Sequence, residues 1–508
     1  MSAHIFSHYS FYSDFNTTLI IEKVMNINRI FLLMAITCFC SCKKKSNNPT
    51  PPPVNAPEFM VDQNKMVSSG FVGFGTQYNN NLYTTLSGAS DGVTPQNLIN
   101  LEDKVKKLGS QHIRIFFDCK SWMDYPKYNS EFMPSFIRTV QLAQASGASI
   151  NLTYWHGAYD DLYEETGTWP MSRQMNDFAN VINHLIVDLG LTSVQYITIQ
   201  NEVNTTSCTK ENYVAAYRNL DEELKAKGIR NRVKLIAGDL LVDELKDSLA
   251  VTNWITYFAA TINDIVDGYS VHLYWNYGII DEIITRMKFA FNTVSSLPAN
   301  QQKPIFVMEY SPTADWRSQP GAFAPGFING TTTRLDSTNE YALIHAWFQV
   351  FALNYKYVGF CKWDCYKAKY DNGTQYFSEI GIASEGYPIR PSYYVTWLFT
   401  HTCQPGWDVV ETKQGNNVNK VVAVMRENSG QNMTVYLVNR SSGMYPFVTG
   451  GLPAKHNFHV VAWNNDQKGK IEKLADVSTD ENGVLRINLQ SQSVVAVTTL
   501  EVNISQIS

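Results

Sequence analysis

The sequence predicts an α/β chain: a (β/α)8 barrel of the TIM type, followed by a C-terminal antiparallel β-sandwich. Three observations carry this. Between Phe71 and Trp363, eight short apolar runs alternate with amphipathic stretches of helical period. The runs are apolar throughout, as parallel strands covered on both faces are. After Trp397 the helical period stops, and β-rich segments follow one another with turn residues between them.

Taken in order, the predicted barrel strands are FVGFGT (71–76), HIRIFF (112–117), SINLTYW (149–155), VQYITIQ (194–200), VKLIAGD (233–239), DGYSVHLY (267–274), PIFVMEY (304–310) and YVGFCKW (357–363). Helical patterns lie between them, for example NLINLEDKVKKLG (97–109), FIRTVQLAQASG (136–147) and ENYVAAYRNLDEELKAKG (211–228). Each of these ends on glycine, which adopts the left-handed conformation that stops a helix. Eight repeats fit a closed barrel better than an open sheet. The sandwich segments are KVVAVMRE (420–427), MTVYLVNR (433–440), FHVVAWNN (458–465), VLRINLQ (484–490) and SVVAVTTL (493–500).

The chain has 508 residues, 44% hydrophobic and 17% charged, the composition of an ordinary globular protein. Its net charge of -5 provides no basic surface, which excludes nucleic acid as a partner class. From Met25 it reads MNINRIFLLMAITCFCSCKKKSNNPTPPP. One arginine precedes an apolar run too short to span a bilayer, the layout of an export signal. That stretch resembles a bacterial lipoprotein signal with Cys42 as the lipidated residue. The expected division is then a signal region over 1–42, a disordered tether over 43–65, the barrel over 66–402 and the sandwich over 403–508. It implies a monomer in the bacterial cell envelope, touching the membrane only through the lipid on Cys42. Past the signal stand Cys119, Cys208, Cys361, Cys365 and Cys403, with no zinc-like CxxC spacing. They read as buried thiols, with a Cys361–Cys365 bridge as the alternative, and no structural metal is expected.

In such a barrel the active site lies at the C-terminal ends of the strands. Collected there are Arg114, His156, Asn201, Glu202, His272, Tyr274, Glu309 and Trp363. An Asn-Glu pair alone says little, since Asn339-Glu340 repeats it at what reads as a helix entry. Its weight comes from Glu309. Glutamates delivered by the fourth and seventh strands face each other across the mouth, as a glycosidase requires: one carboxyl protonates the leaving oxygen, the other attacks the anomeric carbon.

On the pieces RIFF, TYWHG, QNE, VHLYW, VMEY and KWD, the chain resembles the large clan of retaining (β/α)8-barrel glycoside hydrolases. It is most similar to glycoside hydrolase family 5, with a sandwich as in families 30 and 39. Val203 replaces the commoner proline after the Asn-Glu pair. The resemblance implies that Glu202 is the general acid and then base, protonated at the working pH, and that Glu309 is the ionised nucleophile. It assigns Arg114 and Tyr274 to holding Glu309, Asn201 to the sugar 2-hydroxyl, His156 and His272 to hydroxyls and carboxylates, and Trp363 to the floor under the reacting sugar. No cofactor is required. Loop aromatics (Trp122, Tyr125, Trp155, Trp169, Trp275, Tyr277, Trp316 and Tyr366) suggest an open cleft. The expected activity is endo-cleavage of β-linked glucan or a related hemicellulose. The alternatives are an exo-acting β-glycosidase in the same barrel, or a non-catalytic glycan-binding surface lipoprotein.

Overall fold

A computed structural model describes residues 56–118, 131–155, 170–242, 247–313, 326, 328, 331, 333–368, 377–465 and 469–507. Its first strand, β1 (Phe59–Ser68), lies outside the barrel. The barrel is a closed ring of eight parallel strands: β2 (Gly73–Tyr78), β3 (His112–Asp118), β4 (Ser149–Trp155), β5 (Val194–Ile199), β6 (Lys234–Val242), β7 (Gly268–Asn276), β8 (Ile305–Thr313) and β9 (Tyr357–Lys362). All eight predicted runs are strands, and β4 matches to the residue. Helices cross between them, and their ends follow local rules. Helix Pro95–Leu108 starts with a Thr94/Asn97 capping box and proline in its first turn, and Gly109 at φ 63° closes it. Thr338 caps helix Asn339–Leu353, so Asn339-Glu340 is a helix entry.

The barrel interior has two layers. The lower one is an apolar plug built from Tyr196, Ile236, Phe306, Met308, Val358 and Cys361. Above it lies a polar layer in which Gln77, Arg114, Asn151, Thr153, Thr198, Asp239, Ser270 and His272 are all buried. Stacked layers of side chains are how a barrel of this size fills its centre. Here the upper layer is given over to charge.

The C-terminal sheet contains β10 (Asp408–Lys413), β11 (Lys420–Arg426), β12 (Met433–Asn439), β13 (Tyr445–Gly450), β14 (Asn457–Asn464), β15 (Ile471–Ser478), β16 (Leu485–Leu489) and β17 (Ser493–Thr498). With β1 it forms nine strands in the order β15-β14-β17-β12-β11-β10-β1-β13-β16. Its two halves pack on each other through Val422, Val424, Val435, Leu437, Phe447, Phe458, Val460 and Leu485. Alternate residues (Val421, Ala423, Met425, Tyr436, Val438, Val461 and Trp463) face the other way and join the core of the barrel helices. Both faces are covered, which is why β11 and β12 read as unbroken apolar runs.

Two expectations need correction. The stretch assigned to the end of the tether and the start of the barrel is β1, which pairs antiparallel with β10 and parallel with β13. Phe59 and Val61 sit in the sandwich core, so burial orders a segment whose polar, proline-rich neighbours read as linker. The sandwich accordingly contains one parallel pairing in an otherwise antiparallel sheet. Cys208, Cys361, Cys365 and Cys403 are buried free thiols, which removes the Cys361–Cys365 bridge. The signal region, Cys42 and Cys119 lie outside the described residues. Among the described residues no helix is long and apolar enough to cross a membrane.

Candidate active site

Arg114 organises the upper layer. Its guanidinium has five N–H groups, and five oxygens receive them. Nε donates to Thr153 Oγ1 at 2.9 Å, and Nη1 donates to Gln77 Oε1 at 2.8 Å and Glu309 Oε2 at 2.7 Å. Nη2 donates to Asn201 Oδ1 at 2.7 Å and Asp239 Oδ2 at 2.5 Å. The side chain is entirely buried, and its charge lies 4.4 Å from the Phe116 ring centre. Burial works against the charge, but Asp239 and Glu309 outweigh it and raise the guanidinium pKa further.

Two bulges bring the carboxylates inward. On β8, Val307 pairs with Val271 and Phe360, whereas Glu309 pairs with His272 and Tyr310 with Lys362. The strand therefore carries one extra residue across Met308-Glu309. Strict alternation from Phe306 would turn Glu309 outward, and the extra residue turns it in. On β6, Ala237 pairs with Tyr269 but Leu240 with Val271, so another extra residue falls across Gly238-Asp239. Gly238 has φ 136°, and a Cβ there would stand 2.2 Å from the Ser270 carbonyl oxygen. Only glycine fits, and Asp239 follows it at φ 54°.

Glu202 is delivered by the turn after β5. Gln200 (φ 59°) and Glu202 (φ 49°) are left-handed without being glycine, a conformation costing on the order of 1–3 kcal/mol each. Tertiary contacts hold it. Gln200 N–H donates to the Tyr154 carbonyl at 2.7 Å, and Val203 is fully buried. The Asn204 side chain donates to the Leu241 carbonyl at 3.0 Å and accepts from Leu241 N–H at 2.9 Å.

His272 joins the two glutamates. Nδ1 donates to Glu202 Oε1 at 3.1 Å and lies 3.7 Å from Glu309 Oε2, while Nε2 lies 3.5 Å from Asp239 Oδ2. Burial lowers the imidazolium pKa, but Glu309, Asp239 and the bond to Glu202 outweigh it and push the pKa up to about 9. Burial likewise raises the Asp239 carboxyl, yet Arg114 and His272 hold it well below the ordinary range. For Glu309, burial is the largest influence and, with Glu202 adding to it, leaves the carboxyl raised above its ordinary value, although His272, Arg114 and Tyr274 act the other way. The Tyr274 hydroxyl donates to Glu309 Oε1. Both oxygens of Glu309 accept hydrogen bonds, and these contacts offset part of the burial that raises it.

Above this layer lie aromatic rings. Trp363 is 8% exposed and meets Phe116 edge-on with centroids 6.3 Å apart. Trp155, 37% exposed, also packs on Phe116, with centroids 5.6 Å apart. Trp275 and Tyr366 do not belong to a cleft. Trp275 packs on Phe348 behind the barrel wall, and Tyr366 is fully buried beside Tyr78. Next to the inward-leaning Tyr274, Trp275 falls on the opposite face of its strand. His156, Trp122, Tyr125, Trp169 and Trp316 lie outside the described residues.

The seven other predicted site residues converge at the mouth. The sequence reading missed Asp239, Gln77, Thr153, Ser270 and Phe116. A carboxylate ending the apolar run VKLIAGD is the visible signal for Asp239, and it fits a plain strand boundary equally well. Glu202, His272 and Glu309 each place a possible ligand atom within 4.8 Å of the others. The arrangement suits acid–base and nucleophilic work by two carboxyl groups.

No family model and no curated protein matches the sequence. Solved structures do. The catalytic domain of family 30 xylanase C from Talaromyces cellulolyticus is 13% identical, with 87% of this chain and all 100% of that one covered at TM-score 0.61. A family 30 endoxylanase from Clostridium papyrosolvens is 14% identical, over 87% and 99%, at 0.56. An endo-β-1,6-glucanase is 13% identical, over 89% and 95%, at 0.58. The chain shares their fold. The sandwich is part of that likeness, since the aligned share of the chain exceeds what the barrel alone supplies.

Proposed function

We propose that this protein is a retaining glycoside hydrolase that cleaves β-linked polysaccharide by double displacement. The convergence of Glu202 and Glu309 on His272 at the barrel mouth, Glu202 at 3.1 Å and Glu309 at 3.7 Å from Nδ1, supports a two-carboxyl mechanism, and the retaining form is our proposal. Retaining enzymes hold their carboxyl groups about 5–5.5 Å apart and inverting ones about 6.5–9.5 Å. In the first step a Glu309 oxygen forms a bond to the anomeric carbon as the glycosidic bond breaks, and Glu202 gives its proton to the leaving oxygen. In the second, Glu202 takes a proton from water, the water oxygen attacks the same carbon, and Glu309 departs as carboxylate. Arg114 and Tyr274 stabilise the departing charge, and Asn201 is held by Arg114 for the sugar 2-hydroxyl.

The solved structures that share the fold include enzymes described as endoxylanases and an endo-β-1,6-glucanase, which supports a β-glycan substrate. Exposed Trp155, adjacent to Phe116, which in turn meets Trp363, supports an open cleft and endo action on β-glucan or a related hemicellulose. A lipid on Cys42 holding the enzyme in the cell envelope belongs to the same proposal. The test is proton NMR of product released from a panel of β-glucans and xylans. The β-anomer should form first and mutarotate later. Initial α-anomer would reject the retaining mechanism, and no product from any glycan would reject the hydrolase.

A further inference from the structure

We propose that Asp239 is the positioning residue that ties the nucleophile's support and the acid/base's support into one unit. This rests on the hydrolase reading above. A single oxygen, Oδ2, accepts from Arg114 Nη2 at 2.5 Å and lies 3.5 Å from His272 Nε2. Arg114 holds Glu309, and His272 holds Glu202. The route Glu309–Arg114–Asp239–His272–Glu202 therefore passes through one carboxylate atom, beside the direct 3.7 Å approach of His272 to Glu309.

Asp239 cannot act on substrate itself, because it is fully buried beneath the residues that can. Its own position is fixed from the far side. Ser270 Oγ donates to Oδ1 at 2.7 Å and accepts the Asp239 N–H at 2.6 Å, so side chain and backbone are gripped by the same hydroxyl. The β6 bulge, the glycine before it and the left-handed backbone all serve to put this carboxylate in the polar layer. A strained backbone is retained where its surroundings over-determine it, and strain at such a place points to a role. That role is not simply to neutralise Arg114, which Glu309 already meets.

Two consequences follow from removing the negative charge while keeping the shape. Arg114 would lose one of two carboxylates and shift toward Glu309. His272 would lose a counter-charge on one ring nitrogen, keeping Glu202 at the other, Glu309 nearby, Arg114 beyond and the Tyr274 hydroxyl on its own strand. The imidazolium would then lose its proton at a lower pH than in wild type, and the contact to Glu202 would weaken from charge-assisted to neutral.

The test compares wild type with Asp239→Asn and, as a milder variant, Ser270→Ala. Histidine-labelled full chain gives the His272 titration by NMR, assigned by the loss of its signal in His272→Gln. Steady-state kinetics on an aryl β-glycoside and on polysaccharide give kcat and KM across pH. In Asp239→Asn the His272 midpoint should fall by at least one pH unit. The alkaline limb of the rate should move with it, and kcat should drop about 10²-fold, the effect of a small misplacement, with KM little changed. Ser270→Ala should move all three in the same direction by less, and it serves if Asp239→Asn does not fold. Unchanged His272 titration and kcat in either folded variant would overturn the proposal. Wild type inactive on every glycan, with the His272 shift present, would instead reject the hydrolase reading and leave the coupling in place.

Discussion

The lower and upper halves of the barrel come from the same eight strands, yet they obey different rules. In the lower half β5 and β9 also carry register shifts, at Gln195 and Val358, but the plug residues that face inward there are apolar. Phe306 faces the plug while Ile305 and Val307 face the helices, and burial alone accounts for the choice of residue. In the upper half two strands bulge, non-glycine residues adopt left-handed backbone at Gln200, Glu202 and Asp239, and charged groups replace apolar ones. Buried charge and left-handed backbone at the strand ends gather where the chemistry is placed, and apolar burial where stability is made. The apolar half supplies a rigid frame, and the polar half uses it to hold groups that would not stay together in water.

One pair of substitutions tests this contrast by stability. Arg114→Met leaves Asp239 and Glu309 buried without their shared cation, a loss of about 3–5 kcal/mol. Phe306→Ala in the plug opens a cavity at a similar cost of about 3–5 kcal/mol. The two should differ in pH dependence. In wild type the Asp239 carboxyl lies well below its ordinary value, so its contribution is present above the ordinary carboxylate range and lost as pH falls. Without Arg114 the buried carboxyls shift upward, and their penalty grows as pH rises. Denaturant unfolding should therefore find the deficit of Arg114→Met larger at pH 7 than at pH 4, and that of Phe306→Ala equal at both. Equal deficits for Arg114→Met would show that the upper layer behaves as ordinary core.

His272 sharpens the same contrast on the alkaline side. Its pKa is raised to about 9 in the fold from the ordinary value of about 6.5. The stability it contributes is thus fully present below about pH 6.5 and is lost as pH rises through about 9, up to about 3 kcal/mol in total. Unfolding curves of wild type should show that decline, and those of His272→Gln should not. A smaller effect belongs to Thr153→Val. It leaves the buried Arg114 Nε–H without an acceptor, which should lower stability by about 1–3 kcal/mol. A change within a few tenths of a kcal/mol would mean that this donor is satisfied elsewhere.

The same division explains what the sequence disclosed. Strands buried on both faces are unbroken apolar runs, so all eight were legible, and glycines marked several helix ends. Side-chain direction in the upper layer was not. Alternation from Phe306 points Glu309 outward, and only strand-end placement with the motif resemblance brought it into the site. Asp239 needs the β6 bulge, which is visible only in the pairing of β6 with β7. For β1 the obstacle was its exposed face: Asp62, Gln63, Asn64 and Lys65 interrupt the pattern, and its partner strands lie hundreds of residues away. Trp275 errs the other way. Its neighbour Tyr274 leans into the mouth, so simple alternation would have sent it to the helices.

The separate roles of the two glutamates are the centre of this account, and azide rescue tests them most directly. With Glu202→Ala, an aryl β-glycoside should still form the glycosyl-enzyme, because its leaving group hardly needs a proton. Polysaccharide cleavage should fall by about 10²–10⁴. Azide should then release the sugar as the β-glycosyl azide after two inversions. With Glu309→Ala no covalent intermediate can form, turnover should be lost on both substrates, and azide entering the vacated space should give the α-glycosyl azide by one inversion. Azide products with the configurations exchanged, or equal residual rates for both variants on both substrates, would contradict the assignment.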